Sequence, residues 1–113
     1  MADTLFTKIL NKQIPADIVY EDELCFAIKD INPQAPVHLL LIPKKPIATL
    51  AEAGNGDQAL LGHMLLAVGK IARQLKIDGA FRLAINNGAE AGQSVFHLHM
   101  HILAGRPLHW PPG

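Results

Sequence analysis

Apolar residues recur along this chain in two rhythms, one of three to four residues and one of two. Near the start, Leu5, Phe6, Ile9 and Leu10 share one helical face, with Asp3 and Thr4 ahead of them as capping residues. Pro15 lies in the linker beyond. Residues 18–20 and 24–29 predict two strands joined by the acidic turn Glu21-Asp22-Glu23. Residues 30–36 hold Pro33 and Pro36, which lack an N–H and fix φ, so this stretch predicts a loop. Residues 37–42 form a strongly apolar strand stopped by Pro43, and the basic loop Lys44-Lys45-Pro46 follows. Leu61, Met64, Leu65, Val68, Ile71, Ala72 and Leu75 fall at spacings of three and four over about four turns. They predict a long helix that Asp57 caps and Gly79 ends. Leu60 and Ala67 add apolar surface off that stripe. Residues 81–85 predict a strand, 86–94 a loop containing glycines, and 95–104, which alternate cleanly, the clearest strand in the chain. Pro107, Pro111 and Pro112 make the tail irregular.

One short helix, about five strands and one long helix emerge, with several strands joined by short turns. That order predicts an α+β fold: an antiparallel sheet with helices on one side. At 113 residues and 12.3 kDa, residues 1–113 are expected to form a single domain. Half the residues are apolar (50%) and 18% are charged, a globular and not a disordered composition. So small a domain leaves much of its surface exposed, which makes subunit pairing reasonable. Ten Lys/Arg balance ten Asp/Glu for a net charge of +0, so broad electrostatic capture of nucleic acid or anionic membrane is not expected. The longest apolar runs are about five residues, against the roughly 20 a membrane helix needs. The N-terminus lacks a basic segment followed by an apolar one, and the lone Cys25 excludes an internal disulfide. The expected location is the cytoplasm.

Six histidines in so short and neutral a chain redirect attention to local chemistry. Three of them lie in His97-Leu98-His99-Met100-His101-Ile102-Leu103. On a strand, residues two apart share a face, so His97, His99 and His101 line one side while Leu98, Met100 and Ile102 bury the other. A histidine row is a poor device for stabilising a sheet, because each ring needs partners for two nitrogens and like charges repel. It suits proton transfer or nucleophilic attack near neutral pH. Chance solvated or core histidines are the bland alternative. A metal is the other competitor, since neutral imidazole binds Zn²⁺. However, the outer two of three collinear rings lie roughly 13 Å apart at the backbone, and no cysteine is near; no metal is expected. The preceding loop shifts the balance toward phosphate. In Asn86-Asn87-Gly88-Ala89-Glu90-Ala91-Gly92-Gln93-Ser94, small residues such as Gly92 admit a ligand close to backbone N–H groups. Ser94 offers a hydroxyl, and Asn86 and Gln93 offer amides. An ordinary turn is the alternative.

The run from His97 to Leu103 resembles the histidine-triad (HIT) pattern, His-φ-His-φ-His-φ-φ with φ apolar. The likeness covers nearly the whole chain. Asp30-Ile31-Asn32-Pro33-Gln34-Ala35-Pro36-Val37-His38, Ile42-Pro43-Lys44-Lys45, Gly92-Gln93-Ser94-Val95-Phe96-His97 and the tail His109-Trp110-Pro111-Pro112-Gly113 resemble its HINT branch. The resemblance implies a HIT-like fold and a purine nucleoside 5′-phosphoramidase that cleaves P–N bonds, including those of adenosine phosphoramidates, and aminoacyl adenylates. It implies His99 as nucleophile on the α-phosphorus, giving a nucleotidyl-histidine that water hydrolyses. Covalent catalysis of this kind splits one difficult displacement into two. The attacking ring must be neutral, and its other nitrogen needs an acceptor such as a backbone carbonyl. His97 and His101 would orient His99 and bond the phosphate or leaving amine, with Ser94 and His101 nearest the phosphorus. Donors aimed at the phosphoryl oxygens would make a cofactor unnecessary.

The resemblance puts the ribose contact at Asp30 and places His38 behind the triad. By residue type alone, Asp30 reads as a turn residue and His38 equally well as a structural histidine. Leu5, Phe6, Ile9, Phe26 and Ile31 could form an apolar slot for a purine, with Phe6, Ile9 and Ile31 preferred over plain core roles. His63 and His109 are expected to be peripheral to the chemistry. Two positions depart from the family pattern: Lys29 stands where His or Arg is common, and Ala91 where a second glycine is common. The resemblance also implies a homodimer across the long helix and an adjacent strand, with the Trp110 tail near the partner's site; Leu60 and Ala67, which widen the apolar surface of the long helix, are the residues expected to serve assembly. The alternatives within and beyond this activity are a dinucleoside polyphosphate hydrolase and a nucleotide-binding regulatory protein with incidental hydrolysis.

Overall fold

The structure, a computed structural model, describes residues 4–113. The expected cap at Asp3 lies outside the described residues. Helix α1 (Leu5–Leu10) opens instead on Thr4, whose hydroxyl accepts the Thr7 N–H while the Thr7 hydroxyl accepts the Thr4 N–H. This reciprocal box satisfies donors that the first turn leaves free. Strands β1 (Ile18–Glu21), β2 (Cys25–Lys29), β3 (Val37–Pro43), β4 (Arg82–Ala84) and β5 (Met100–Ala104) build one antiparallel sheet in the order β1-β2-β3-β5-β4. Helix α2 (Gln58–Gln74) is the long helix.

The helices cover opposite faces of the sheet and not one, as the sequence had suggested. Cys25, Ala27, Leu39, Leu41, Met100 and Ile102 pack against Met64, Ala67, Val68 and Ile71 of α2. Phe26, Ile28, Leu40 and Ile42 pack against Phe6 and Ile9 of α1. The reason is legible in β2 and β3, where the buried runs Cys25 to Ile28 and Leu39 to Ile42 are apolar throughout. A strand buried on both faces reads as a continuous apolar run.

Four further details differ from expectation. Asp57 sits at the N-cap of α2, but its carboxylate accepts from Lys45 and the Gly54 N–H and not from the helix. The helix ends before Gly79, where Lys76 takes a positive φ of 60°. Leu60 and Ala67 pack into the core, while Leu65 and Leu66 are the exposed leucines of α2. The strand expected over residues 95–104 is regular only from Met100. Its register runs Leu39↔Ile102 and Leu41↔Met100, so the next such pair would set Leu98 opposite Pro43. Proline has no N–H to extend a ladder. The Leu98 N–H turns to the Ile47 carbonyl instead, at 2.7 Å.

Candidate active site

Because Met100 and Ile102 face α2, the α1 side of the sheet receives His99 and His101. Phe6 of α1 meets His97 and His99 edge-on, with ring centroids 5.9 and 5.0 Å away. His99 and His101 stand 5.1 Å apart between centroids, and His38 lies 5.2 Å beyond His101. The triad is therefore a bent cluster and not a flat ladder: only His101 is held in regular pairing, opposite Leu40 and Ala84.

The hydrogen bonds assign a role to each ring nitrogen. His99 Nδ1 lies 2.8 Å from the His97 carbonyl, which can only accept, so the proton sits on Nδ1 and Nε2 carries the lone pair. His97 Nε2–H donates to the Pro43 carbonyl at 2.7 Å, and its Nδ1 accepts from the Thr4 hydroxyl at 3.2 Å. His38 Nδ1 accepts the Gln34 N–H at 3.0 Å, which leaves the neutral ring with one proton, on Nε2. That nitrogen is 2.9 Å from His101 Nδ1 and 3.4 Å from Asp30 Oδ2. When His38 donates to His101 Nδ1, neutral His101 carries its own proton on Nε2.

Burial sets the charge of these rings. It lowers His101 to about 4, helped by repulsion from His99 and His38 and opposed by Asp30. It also lowers His97, against the Pro43 carbonyl, and His38, against Asp30. His38, His97 and His101 are thus neutral at physiological pH. Asp30, His38 and His101 bring one ligand atom each within 4.8 Å of one another, as do Asp22, Cys25 and His63. In both groups hydrogen bonds already join side chains to one another.

A cleft of about 520 Å³ opens beside the cluster. His99, His101 and Ser94 line it together with Asp30; Leu5, Phe6, Ile9 and Ile14 form an apolar wall, and Ile31 stands at the mouth almost fully exposed. Its size and its mix of an apolar wall with a few convergent polar groups are those of a small-molecule site. Of the residues singled out from the sequence, Phe6, Ile9, Asp30, Ile31, Ser94, His99 and His101 meet here. Phe26 does not; it is fully buried core.

Five more singled-out residues stand off the cleft. His97 and His38 lie behind the reacting face, as their bonds require. Gln93 points inward: its carbonyl accepts the Gly88 N–H, and its amide donates to the Ala48 and Val95 carbonyls. It braces the loop below Ser94. Asn86 lines a separate, shallower groove with His38, His101, Arg82 and Trp110 on the β4 edge. Gly92 supplies backbone geometry, with φ of 98°, where an L side chain is strained. Ala91 has no positive φ, so alanine costs nothing there.

The sequence reading passed over Thr4, the Gln34 N–H and the Pro43 carbonyl. Thr4 was visible as a cap, but its second bond to His97 spans 93 positions and has no local signal. His63 is read from the sequence as peripheral to the chemistry. It is half-buried and lies 2.7 Å from Asp22 Oδ2, which also accepts from the Tyr20 hydroxyl at 2.7 Å. Burial alone would raise Asp22, yet these bonds and the Leu24 and Cys25 N–H groups hold it well below the usual carboxylate range. Burial pushes the neighbouring Cys25 thiol up to about 12, with Asp22 adding to the effect. His109 is exposed in the tail, where its carbonyl accepts from Arg82 at 2.8 Å.

Comparison with known proteins places this geometry. A family model described as HIT domain matches residues 11–108. An uncharacterized HIT-like protein of Synechocystis sp. is 64% identical over 111 residues, covering 98% of this chain and 97% of its own. The solved structure of a HIT family hydrolase from Legionella pneumophila superposes with a TM-score of 0.95 at 44% identity, covering 98% of this chain and all of that one (100%). A histidine triad nucleotide-binding protein from Candida albicans superposes with a TM-score of 0.82 at 30% identity, covering 96% of this chain and 83% of that one. No helix among the described residues is long and apolar enough to cross a membrane.

Proposed function

This chain belongs to the HIT domain family, and from that premise we propose that it is a purine nucleoside 5′-phosphoramidase of the HINT type, with the whole chain acting as one HIT domain. The observation that carries the reading is the fixed tautomer of His99. Its Nδ1–H is held by the His97 carbonyl, so the Nε2 lone pair is available on a ring that lines the cleft with Ser94 and His101. A neutral imidazole held in one orientation is the nucleophile that a two-step displacement needs.

The steps follow from that placement. His99 Nε2 attacks the α-phosphorus and forms a P–N bond. The P–N bond to the amine breaks, its electron pair goes to the amine nitrogen, and that nitrogen takes up a proton. Water then attacks the nucleotidyl-histidine, the P–Nε2 bond breaks back to the ring, and one proton is released, so the protein ends as it began. His101 offers Nε2–H and Ser94 its hydroxyl to the phosphoryl oxygens or the departing nitrogen, where charge develops. Phe6, Ile9 and Ile31 hold the purine, and Asp30 accepts the ribose hydroxyls. The same chemistry suits aminoacyl adenylates, whose leaving group is a carboxylate. The chain acts without a cofactor, in the cytoplasm, as a homodimer.

Intact mass after brief mixing with adenosine 5′-phosphoramidate tests this. The expected result is a nucleotidyl adduct that maps to His99, with turnover insensitive to a chelator and at least a thousandfold lost in His99→Ala. Full turnover by His99→Ala would overturn the mechanism. Faster turnover of diadenosine polyphosphate than of the phosphoramidate would overturn the substrate assignment and leave the nucleophile standing.

A further inference from the structure

One end of the cleft carries a charged pair that the proposed chemistry does not use. Lys29 and Asp17 both line it, beside Ile14, Pro15 and Ala16. Lys29 Nζ lies 3.3 Å from Asp17 Oδ2, and the two side chains are 62% and 64% exposed. An ion pair so open to water adds little to the fold, so its groups can turn to a ligand at small cost. Their backbones are fixed: the Lys29 N–H donates to the Asp17 carbonyl at 3.1 Å. The sheet sets the distance from the histidines. Its order is β1-β2-β3-β5-β4, so Lys29 on β2 lies two strands from His101 on β5, and Asp17, just ahead of β1, lies three. At about 4.8 Å per strand, the pair stands roughly 10–14 Å from His101. Asp30, the ribose acceptor of the nucleotide reading, follows Lys29 directly in the chain. A nucleotide with its phosphorus at His99 and its sugar at Asp30 therefore extends its base toward Lys29 and Asp17.

We infer that Asp17 and Lys29 read the edge of the purine and make guanine the preferred base. This rests on the nucleotide reading above and names the base that reading leaves open. The apolar wall alone does not discriminate, since adenine and guanine are flat rings of nearly equal size. Their edges differ. Guanine offers the O6 carbonyl as acceptor, with N1–H and the N2 amino group beside it as donors. A lysine ammonium only donates and a carboxylate only accepts. Lys29 therefore meets O6, while the two Asp17 oxygens take N1–H and one N2–H in a bidentate contact. Adenine has one exocyclic amino group and no proton on N1, so it gives Asp17 a single bond and leaves the second oxygen to water. A site built to pair a donor disfavours the analogue that lacks it. At so exposed a place solvent replaces part of what is missing, so the preference is about tenfold, toward the low end for a bidentate base contact.

The test measures kcat/KM for guanosine, inosine and adenosine 5′-phosphoramidates with the wild-type chain and with Asp17→Asn. The wild type should favour guanosine over adenosine about tenfold. Inosine, which keeps O6 and N1–H but lacks the amino group, should fall between them. In Asp17→Asn the preference should vanish or turn toward adenosine, because an amide offers a donor where guanine needs a second acceptor. Titration with GMP and AMP reads the same contact without catalysis and should show the same order of affinity. Equal kcat/KM for guanosine and adenosine in the wild type, or a guanosine preference that survives Asp17→Asn, would overturn the base contact while leaving the phosphoramidase reading intact. No turnover of any of the three substrates would overturn that reading. The affinities then decide the contact alone: tighter GMP, lost in Asp17→Asn, supports it, and equal affinity for GMP and AMP overturns it.

Discussion

At the scale of single residues, the site depends on where a few protons sit. His99 presents Nε2 because the His97 carbonyl holds Nδ1, and no side-chain substitution at 97 removes that oxygen. Replacing His97 by Ala should therefore weaken the site through lost packing against Phe6 and lost anchorage to Pro43, with a smaller loss of kcat than His99→Ala. The pH response follows from the lowered rings. Unfolded histidine titrates at about 6.5, whereas His101 in the fold titrates at about 4. Between those values the unfolded chain binds more protons, so stability rises with pH through the window and is lost on acidification. His38 and His97 shift in the same direction. Thermal melts should show Tm falling from pH 6.5 toward 4, with a shallower slope in His101→Asn; a Tm that rises on acidification would contradict this. The roles of Asp30, Ser94 and the three histidines could be argued from residue type, spacing and family pattern. Gln93, read from the sequence as an amide facing the phosphate, turns inward instead, because whether an amide faces a ligand or its own loop depends on three backbone groups, two of them at Gly88 and Ala48. Gln93→Ala strands those groups and should cost about 1–3 kcal/mol in denaturant unfolding.

At the scale of elements, periodicity placed both α-helices and the five strands of the described residues, and the errors lie where tertiary contacts overrule a local signal. Asp57 has the right type and position for a cap, but Lys45 claims it. The even alternation of residues 95–104 is that of a strand, yet pairing requires a partner with an N–H, and Pro43 offers none. Helix α1 has six residues, too few to persist on its own in water. It is held by Phe6 and Ile9 in the core and by Thr4, which serves the first turn and His97 at once. Thr4→Ala should cost about 1 kcal/mol for the lost cap. It should also lower turnover, because His97 loses the donor to Nδ1; Thr4→Ser, which restores the hydroxyl, should recover both in unfolding and kinetic assays.

At the scale of the molecule, the charge balance and the site agree. A small phosphorylated ligand gripped by local donors needs no basic surface, and this chain has a net charge of +0. What the surface does carry is apolar. Leu65 and Leu66 on α2 are 53% and 79% exposed, and Gly62, Leu66 and Gly69 recur at helical spacing on that side. The sequence stripe misassigned this face to Leu60 and Ala67, because an apolar stripe alone does not reveal which edge of it the sheet covers. If the proposed homodimer forms here, light scattering should give twice the 12.3 kDa chain mass. Leu66→Glu should then give a monomer with the α/β content unchanged in circular dichroism. A monomeric wild type at micromolar concentration would overturn the assembly.

The proline that ends β3 has an effect beyond its own strand. A ladder carried past it would commit backbone acceptors in this stretch to neighbouring N–H groups. Instead the sheet comes unzipped here, and the carbonyls of Pro43 and His97 remain to accept protons from His97 and His99. The imidazoles occupy vacancies in the weave of the sheet. Any substitution at 43 that restores the pairing would set the Leu98 N–H against the His97 ring for the residue-43 carbonyl, so a longer ladder and the anchored imidazole are alternatives at this one position.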